Sequence, residues 1–342
     1  MAATIKDVSK ASSVSIATVS KVLNGDYSKV SEETKLRVLE AAKKLHYRPN
    51  LLARSLVRRQ SSMLGLVIPD IANPYYADMC RGMADEAQRG GLSTLIANTD
   101  RQQQSELTAI RTMVDYAVAG VALVGIFKNV KEHTNMLDQY NLPYVLVDYH
   151  EPGMDYCVYV DDYNGSYEAV SHLIDQGHRT VAYISGFPEP GHPRDFRLAG
   201  YRQALLDAGL PYDRFLVESG RFNLETGYQK AATLLQRNKD ITAIACGNDM
   251  IALGAFRALR EYGYRIPADV SLVGFDDVYL STAMEPRLTT VRQPAYELGI
   301  AAVKILAQRI NKETPEEKTI CFKPTLIKRD TVAARPGWLK ES

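Results

Sequence analysis

Cysteine is scarce and scattered in this sequence. Cys80, Cys157, Cys246 and Cys321 are the only four among 342 residues, and no two form a C-x-x-C pair. Such spacing argues against a metal or redox site and leaves buried, reduced thiols as the expectation. No apolar run is long enough to span a bilayer, and no basic stretch followed by an apolar one opens the chain. The cytoplasm is therefore the expected compartment, with no membrane partner. Catalytic signatures are missing as well: there is no G-x-S-x-G, no H-E-x-x-H, no glycine-rich phosphate loop and no Cys/His cluster with metal spacing. His172 and His178 stand around a helix end as a poor ligand pair, and Asp148 and His150 have no nucleophile beside them. Neither an enzyme nor a cofactor nor a metal is expected.

What is present is an ordinary globular composition, 46% hydrophobic and 24% charged, in a chain long enough for two or three domains. Its net charge of +1 hides a polarity. Residues 1–60 hold twelve Lys/Arg against five Asp/Glu, whereas the remainder holds twenty-nine against thirty-five. A basic head on a mildly acidic body suits a polyanionic partner for the head alone.

Within the head, Thr4 followed by Asp7 reads as a cap for a helix through about Ala11. Ser15 can cap a second helix, and Ser31 with Glu32 and Glu33 opens a third that runs through Leu45. Val8, Val14, Val19, Val22, Leu23, Leu36 and Leu39 suit a shared three-helix core. On the second helix, Ile16, Ala17, Ser20, Lys21 and Asn24 share the opposite face, which is slender, carries one cation and has no acid. Such a face fits a DNA major groove, where an apolar side chain meets a thymine methyl and a lysine a guanine edge. By itself it also suits plain solvent exposure. Further on, Pro49 ends the third helix and Asn50 can start a short one, with Leu51, Leu52, Leu56 and Val57 as an apolar stripe beside Arg54, Arg58 and Arg59. A helix of that length is marginal alone in water.

From Met63 the chain alternates. "MLGLVIPD", "LSTLIANTD", "GVALVGIF", "PYVLVDY", "TVAYISG", "TAIACGND" and "VSLVGFDD" read as buried parallel strands. Helices are expected at 75–89, 105–117, 165–176, 224–236 and 249–262. The alternation implies doubly wound parallel sheets, and so many strands imply two lobes. Ligands in such sheets bind beyond the carboxyl ends of the strands, which here carry polar and aromatic residues. Asn73 and Asp100 are weaker candidates there, and Asp249 is a possible helix cap.

The run "TIKDVSKASSVSIATVSKVLNG" resembles the helix-turn-helix of the lactose/galactose repressor (LacI/GalR) family of bacterial transcription regulators, departing from it at Ser9, Ser12 and Ser13. A non-glycine at Ser13 costs on the order of 1 kcal/mol if that corner needs a positive φ. "YRPNLLARSLVRRQSS" resembles the family's hinge helix, and "DDYNGSYEAVSHLIDQGHRTVAYISG" and "NDMIALGAFRALREYGYRIPADVSLVGFDD" resemble its body, with Asp162 where asparagine is usual. The resemblance runs from about Thr4 to Val332. It implies an all-α helix-turn-helix head and an α/β, two-lobed, periplasmic-binding-protein-like body. The head would occupy 1–60 with the hinge helix at about 50–58, and the effector-binding and dimerisation domain 61–342. One lobe would hold about 61–161 and 293–324, the other about 162–292 and 325–335.

By the same resemblance Ile16, Ala17 and Lys21 read bases, Ser15, Thr18, Ser20 and Asn24 lie near phosphates, and Thr4 and Tyr47 also belong to the DNA-binding residues. Asn50, Ala53, Arg54 and Leu56 belong to the hinge helix, Leu56 as a minor-groove wedge. Effector contacts fall on Tyr75, Tyr76, Asp148, Tyr149, Arg197, Phe222, Asn248 and Asp276, where aromatic faces would cover a sugar ring and polar groups take its hydroxyls. The expected function is a homodimeric repressor on a pseudo-palindromic double-stranded operator, controlled by a sugar or sugar derivative. Two alternatives stand beside it. One is a global carbon-catabolite regulator with a phosphocarrier-protein corepressor, although "AAVKILAQRINKE" lacks the arginine-rich form expected for that docking. The other is a sugar-binding transport receptor, which the basic head opposes. "RPGWLKES" is too short and polar for a heptad tetramerisation helix, so a dimer is expected.

Overall fold

A computed structural model describes residues 3–47, 62–126 and 129–335, and the chain divides into two compact units, Met1–Ser62 and Met63–Ser342. The first holds three helices, α1 (Ile5–Ser12), α2 (Ile16–Leu23) and α3 (Glu32–Lys44). Each has a side-chain device at its start. The Thr4 amide donates to the Asp7 carboxylate at 2.8 Å, the Thr18 amide to Ser15 Oγ at 3.2 Å, and the Thr34 amide to Ser31 Oγ at 3.3 Å. These bonds satisfy amides that a helix terminus leaves open. Ser13 does take the left-handed conformation, at φ 53°. Two of the serines find local use: Ser9 donates to the Val14 carbonyl at 2.6 Å and Ser12 to that of Val8 at 2.7 Å.

The head's core is Val8, Val19, Val22, Val38, Ala41 and Ala42, with Val14, Leu23, Leu45 and Tyr47 packed around it. Leu36 and Leu39 do not join it; they are 53% and 39% exposed. α3 carries two apolar stripes, and its small one (Val38, Ala41, Ala42) lets the three short helices approach closely. The hinge residues Asn50, Ala53, Arg54 and Leu56 lie outside the described residues.

The second unit contains β1 (Met63–Ile68), α4 (Pro74–Arg89), β2 (Ser93–Asn98), α5 (Gln103–Asp115), β3 (Gly120–Val124), α6 (Val130–Gln139), β4 (Tyr144–Val147) and β5 (Cys157–Val160). There follow α7 (Asp162–Asp175), β6 (Val181–Ser185), α8 (Phe196–Asp207), β7 (Val217–Ser219), α9 (Leu224–Arg237), β8 (Ala243–Cys246), α10 (Asp249–Glu261) and β9 (Ser271–Asp276). The chain closes with α11 (Leu280–Ala283), β10 (Thr289–Arg292), α12 (Ala295–Ile310), β11 (Thr319–Phe322) and β12 (Thr325–Ile327). Two six-stranded sheets result, ordered β11-β5-β4-β3-β1-β2 and β12-β10-β9-β8-β6-β7. All pairs are parallel except β10 with β12.

Both faces of each sheet are covered by helices and apolar clusters, which is why the central strands are apolar throughout. The helices approach closely where glycine permits. A Cβ on Gly227 of α9 would stand 2.0 Å from the Ile251 carbonyl of α10, and one on Gly254 of α10 would stand 2.0 Å from the Leu224 carbonyl of α9. The chain passes between the sheets after β5, after β10 and between β11 and β12, so three short segments join the lobes. Among the thiols, Cys80, Cys157 and Cys246 are buried as expected, but Cys321 on edge strand β11 is exposed. His178 is structural: its ring nitrogens lie 3.0 Å from Thr242 Oγ1 and 3.2 Å from the Ala333 carbonyl.

Candidate functional site

The carboxyl ends of both sheets open on one cavity of about 190 Å³ in the second unit. Each wall is made where an apolar strand stops and the chain turns. From the first sheet come Tyr75 and Tyr76 at the start of α4, Arg101 after β2, Asp148, Tyr149 and His150 after β4, and Asp161 and Asp162 after β5. From the second come Phe187 after β6, Arg194 and Phe196 ahead of and in α8, Arg197 in α8, Phe222 after β7, Asn248 after β8 and Asp276 ending β9. Several of these turns force non-glycine residues to positive φ: Arg101 at 58°, Asp148 at 58° and Asp276 at 126°. Such backbone costs on the order of 1–3 kcal/mol per residue and gathers at functional sites.

At the centre lies Arg197, which is 7% exposed. Its guanidinium is 3.0 Å from Asp162 and 3.7 Å from Asp276, donates to the Gly247 carbonyl at 2.7 Å, and lies 3.9 Å from the centre of the Phe275 ring. Burial works against its charge, but Asp162, Asp276 and Asp148 outweigh burial and raise its pKa. The carboxyls respond in turn. Burial pushes Asp276 up to about 7 against the pull of Arg197 and of the Gln293 hydrogen bond. Asp162, whose side chain keeps 25% of its surface exposed, is pushed up to about 6 by burial, again opposed by Arg197. Gln293 Nε2 donates to Asp276 at 2.6 Å, and Tyr75 lies with its hydroxyl 3.3 Å from both Asp148 and Gln293. Burial raises the phenols too, Tyr76 and Tyr149 to about 12. These hydroxyls therefore act as neutral donors and acceptors.

Behind this centre, Asp249 does not cap α10. Asn248 does, accepting from the Ile251 amide at 2.9 Å. Asp249 is fully buried instead, accepting from Thr290 Oγ1 at 2.5 Å and the Val278 amide at 2.9 Å, with its pKa raised by burial and by Asp276. It ties α10 to β10 and thereby holds the strand end that carries Asp276. Phe222 stands where a Cβ on Gly186 would come within 2.3 Å of its ring, so glycine at the end of β6 makes room for this aromatic wall.

All eight residues expected at an effector site line the one cavity. Asn73 lines it as well while capping α4 through the Tyr75 amide at 3.1 Å, whereas Asp100 accepts from Asn98 and is not among the lining residues. Two details differ from expectation. One face of Tyr149 is covered by the Arg194 guanidinium at 3.7 Å, and the Tyr149 hydroxyl donates to Glu151 at 3.0 Å. Asp162, read only as a departure from an asparagine pattern, is an ion-pair partner of Arg197. Arg101 lies just past the end of β2 and was open to the same rule that found Asp148, whereas Asp161 follows β5, which was not among the strands expected from the sequence. Arg194 lies well beyond the end of β6, and no local signal marks it.

In the head, the expected reading face is open: Ile16 is 44% exposed, and Ala17 and Lys21 are exposed beside it. Ser15 and Thr18 share a hydroxyl contact of 3.0 Å, and Asn24 donates to Ser20 at 3.2 Å, so these four polar side chains are held in pairs along one helix. Thr4 is bonded to Asp7 and Tyr47 is packed on the core.

Known proteins share this pairing of a three-helix head with a two-sheet body. Residues 4–50 match the family described as bacterial regulatory proteins, lacI family, and residues 170–332 match a periplasmic binding protein-like domain. Catabolite control protein A of Priestia megaterium is 36% identical over 323 residues, 94% of this chain and 96% of that protein. The chain belongs to the lacI family of bacterial regulators. Its fold is similar to that of a chain in a lac repressor dimer bound to operator and the anti-inducer ONPF, with a TM-score of 0.86, 27% identity and coverage of 98% of this chain and 100% of the other. A complex of the transcriptional regulator CelR with cellobiose gives a TM-score of 0.73 at 31% identity, covering 96% and 99%. As a lacI-family protein this chain is a DNA-binding transcriptional regulator. Among its described residues no helix is long and apolar enough to cross a membrane.

Proposed function

We propose that the chain is a homodimeric repressor whose hold on a pseudo-palindromic operator is set by a small carbohydrate in the cavity of the second unit. One observation carries this reading: aromatic rings and paired polar groups from both sheets converge on a single cavity of about 190 Å³. A polyhydroxylated ring needs polar partners on several sides, because each buried hydroxyl left unpaired costs about 1–3 kcal/mol. Tyr75, Tyr76 and Phe222 supply ring faces; Asp148, Arg197, Asn248 and Asp276 supply acceptors and donors. Cellobiose, the ligand named in the solved CelR complex, supports the same class.

In the head, Ile16, Ala17 and Lys21 read base edges, Ser15, Thr18, Ser20 and Asn24 position the helix on phosphates, and Thr4 and Tyr47 also bind DNA. Asn50, Ala53, Arg54 and Leu56 form the hinge that pairs across the dimer, and Leu56 wedges the minor groove. The ligand acts by its differential affinity for two arrangements of the lobes, one of which permits the hinges to pair. A mobility shift on DNA selected from a random pool, with and without a panel of sugars, tests the reading. The expected result is retarded DNA as a complex of two chains, with one class of sugar changing the affinity. Selected DNA lacking two-fold symmetry, or a response to nucleobases and to no sugar, overturns it.

A further inference from the structure

We propose that the effector is a single sugar ring, a pentose or a hexose, and that Arg194 and Arg101, which cross the cleft in opposite directions, hold it to that size. The proposal rests on the carbohydrate reading above and adds the length of the ligand.

The cavity has room for one ring. It measures about 190 Å³, and a cavity of roughly 150 Å³ holds a six-atom aromatic ring. The remainder suits the hydroxyls of one furanose or pyranose. Two linked rings carry roughly twice the atoms and belong with drug-sized ligands, whose pockets measure about 300–1,000 Å³. Nor can the walls easily retire. Tyr75, Tyr76, Tyr149 and Phe187 are buried, so none of them can swing out into water without losing its packing. Tyr75 stands edge-on to Tyr76 at 5.1 Å, and Phe187 edge-on to Phe222 at 5.5 Å, so each lobe presents a braced aromatic corner.

Two contacts across the cleft keep the cavity at this size. Arg194 starts in the second lobe and ends on the first, where it donates to the carbonyl of buried Ile126 at 2.6 Å. Its guanidinium lies 3.7 Å from the centre of the Tyr149 ring. Arg101 runs the other way. It donates to the Tyr76 hydroxyl of its own lobe at 2.9 Å and stands 4.9 Å from the centre of the Phe222 ring on the second. The loop that bears Arg194 is anchored at its base. Asp195 beside it is buried, accepting from Ser185 Oγ at the end of β6 and from the Leu198 amide at 3.0 Å.

A charged donor on a buried carbonyl and a guanidinium on an aromatic face both weaken once water enters between the partners. A ligand of two rings holds the lobes further apart, and Arg194 then parts from Ile126 and Tyr149, which move with the opposite sheet. One ring leaves both crossings intact. The two arginines thus gauge the ligand by whether the lobes can close over it.

Calorimetry on the full chain, with free sugars and the disaccharides built from them, tests the length. Glucose is compared with cellobiose, maltose and trehalose, galactose with lactose and melibiose, xylose with xylobiose, and mannose with mannobiose; ribose and arabinose are added alone. At least one free sugar should bind about tenfold or more tighter than any disaccharide containing it, because the longer ligand forfeits a charged hydrogen bond across the cleft. Arg194→Ala should narrow that ratio to about threefold or less, the disaccharide gaining affinity while the free sugar loses it. Arg101→Ala should narrow it in part. A merely structural loss would weaken both ligands alike. Thermal melting of the unliganded variants checks folding, and Arg101→Ala carries the test if Arg194→Ala melts early. A disaccharide that binds as tightly as its component sugars overturns this inference and leaves the carbohydrate reading standing. No binding by any sugar overturns both. A ratio unchanged in both variants overturns the role given to the two arginines.

Discussion

Replacing Arg197 with methionine takes the cation out of the cavity centre while keeping most of the side-chain length. The loss should depend on pH in a direction that the carboxyls dictate. Asp276 and Asp162 have folded pKa values raised to about 7 and about 6, from 3.8. A raised carboxyl stabilises the fold only while protonated, so its contribution falls as pH rises from the unfolded value and levels off at the folded one. Arg197 sets where that decline stops, since it pulls both values down. Without it the decline continues upward. The variant should therefore lie close to the parent below pH 6, short by about 1–2 kcal/mol for the lost bond to the Gly247 carbonyl. Above that the gap widens by about 1.4 kcal/mol per pH unit for each carboxyl still protonated. By pH 8 it should approach the 3–5 kcal/mol, roughly, of a broken buried ion pair. Urea unfolding of the full chain, followed by near-ultraviolet tyrosine dichroism at pH 5.5 and 8.5, measures it. Of 20 tyrosines only Tyr27 and Tyr47 lie before residue 63, so this signal reports the second unit. An equal loss at both pH values would refute the reasoning, because the cost would then be packing alone.

Lys21→Ala should relax base preference at one position per half-site by about 1–3 kcal/mol, read by competition with single-base variants of the selected operator; an equal loss on random DNA would make Lys21 a phosphate contact. His178, buried and depressed to about 4 by desolvation, contributes stability that is present above pH 6.5 and lost as pH falls toward its folded value. His178→Gln should accordingly flatten the acid side of the thermal-stability profile, and an unchanged acid limb counts against the assignment. Gly227→Ala places a Cβ about 2.0 Å from the Ile251 carbonyl, so the α9–α10 crossing must open. Overpacking of this kind costs about 1–3 kcal/mol, and calorimetric melting should show it; a melting point equal to the parent's would mean that the crossing has slack.

Much of the architecture was legible because burial on both faces of a parallel sheet demands unbroken apolar runs. All seven strands expected from such runs are present, from Met63–Ile68 to Ser271–Asp276, but Ser93–Asn98 is an edge strand and half-buried to exposed rather than buried. The five others are only three or four residues long: Val217–Ser219, Thr319–Phe322 and Thr325–Ile327 are half-buried or exposed, Thr289–Arg292 is mostly polar, and Cys157–Val160 is apolar and mostly buried but was too short to stand out. Strand ends likewise announced Asp148, Asn248 and Asp276, since polar residues that close an apolar run have few other reasons to be there. Helical periodicity on the third helix pointed to Leu36 and Leu39 as core residues, and that expectation failed. Packing chose Val38, Ala41 and Ala42 and left Leu36 and Leu39 exposed. The same limit hid Arg194. A loop's reach across a cleft depends on where the opposite lobe stands, and three separate crossings of the chain set that position. Local sequence therefore determined the seven apolar strands, the caps of the three head helices and the small-residue face of α2, each a matter of neighbours a few positions away. Only the tertiary fold decided which charges meet in the cavity, because electrostatic partners at 3 Å can come from anywhere in the chain.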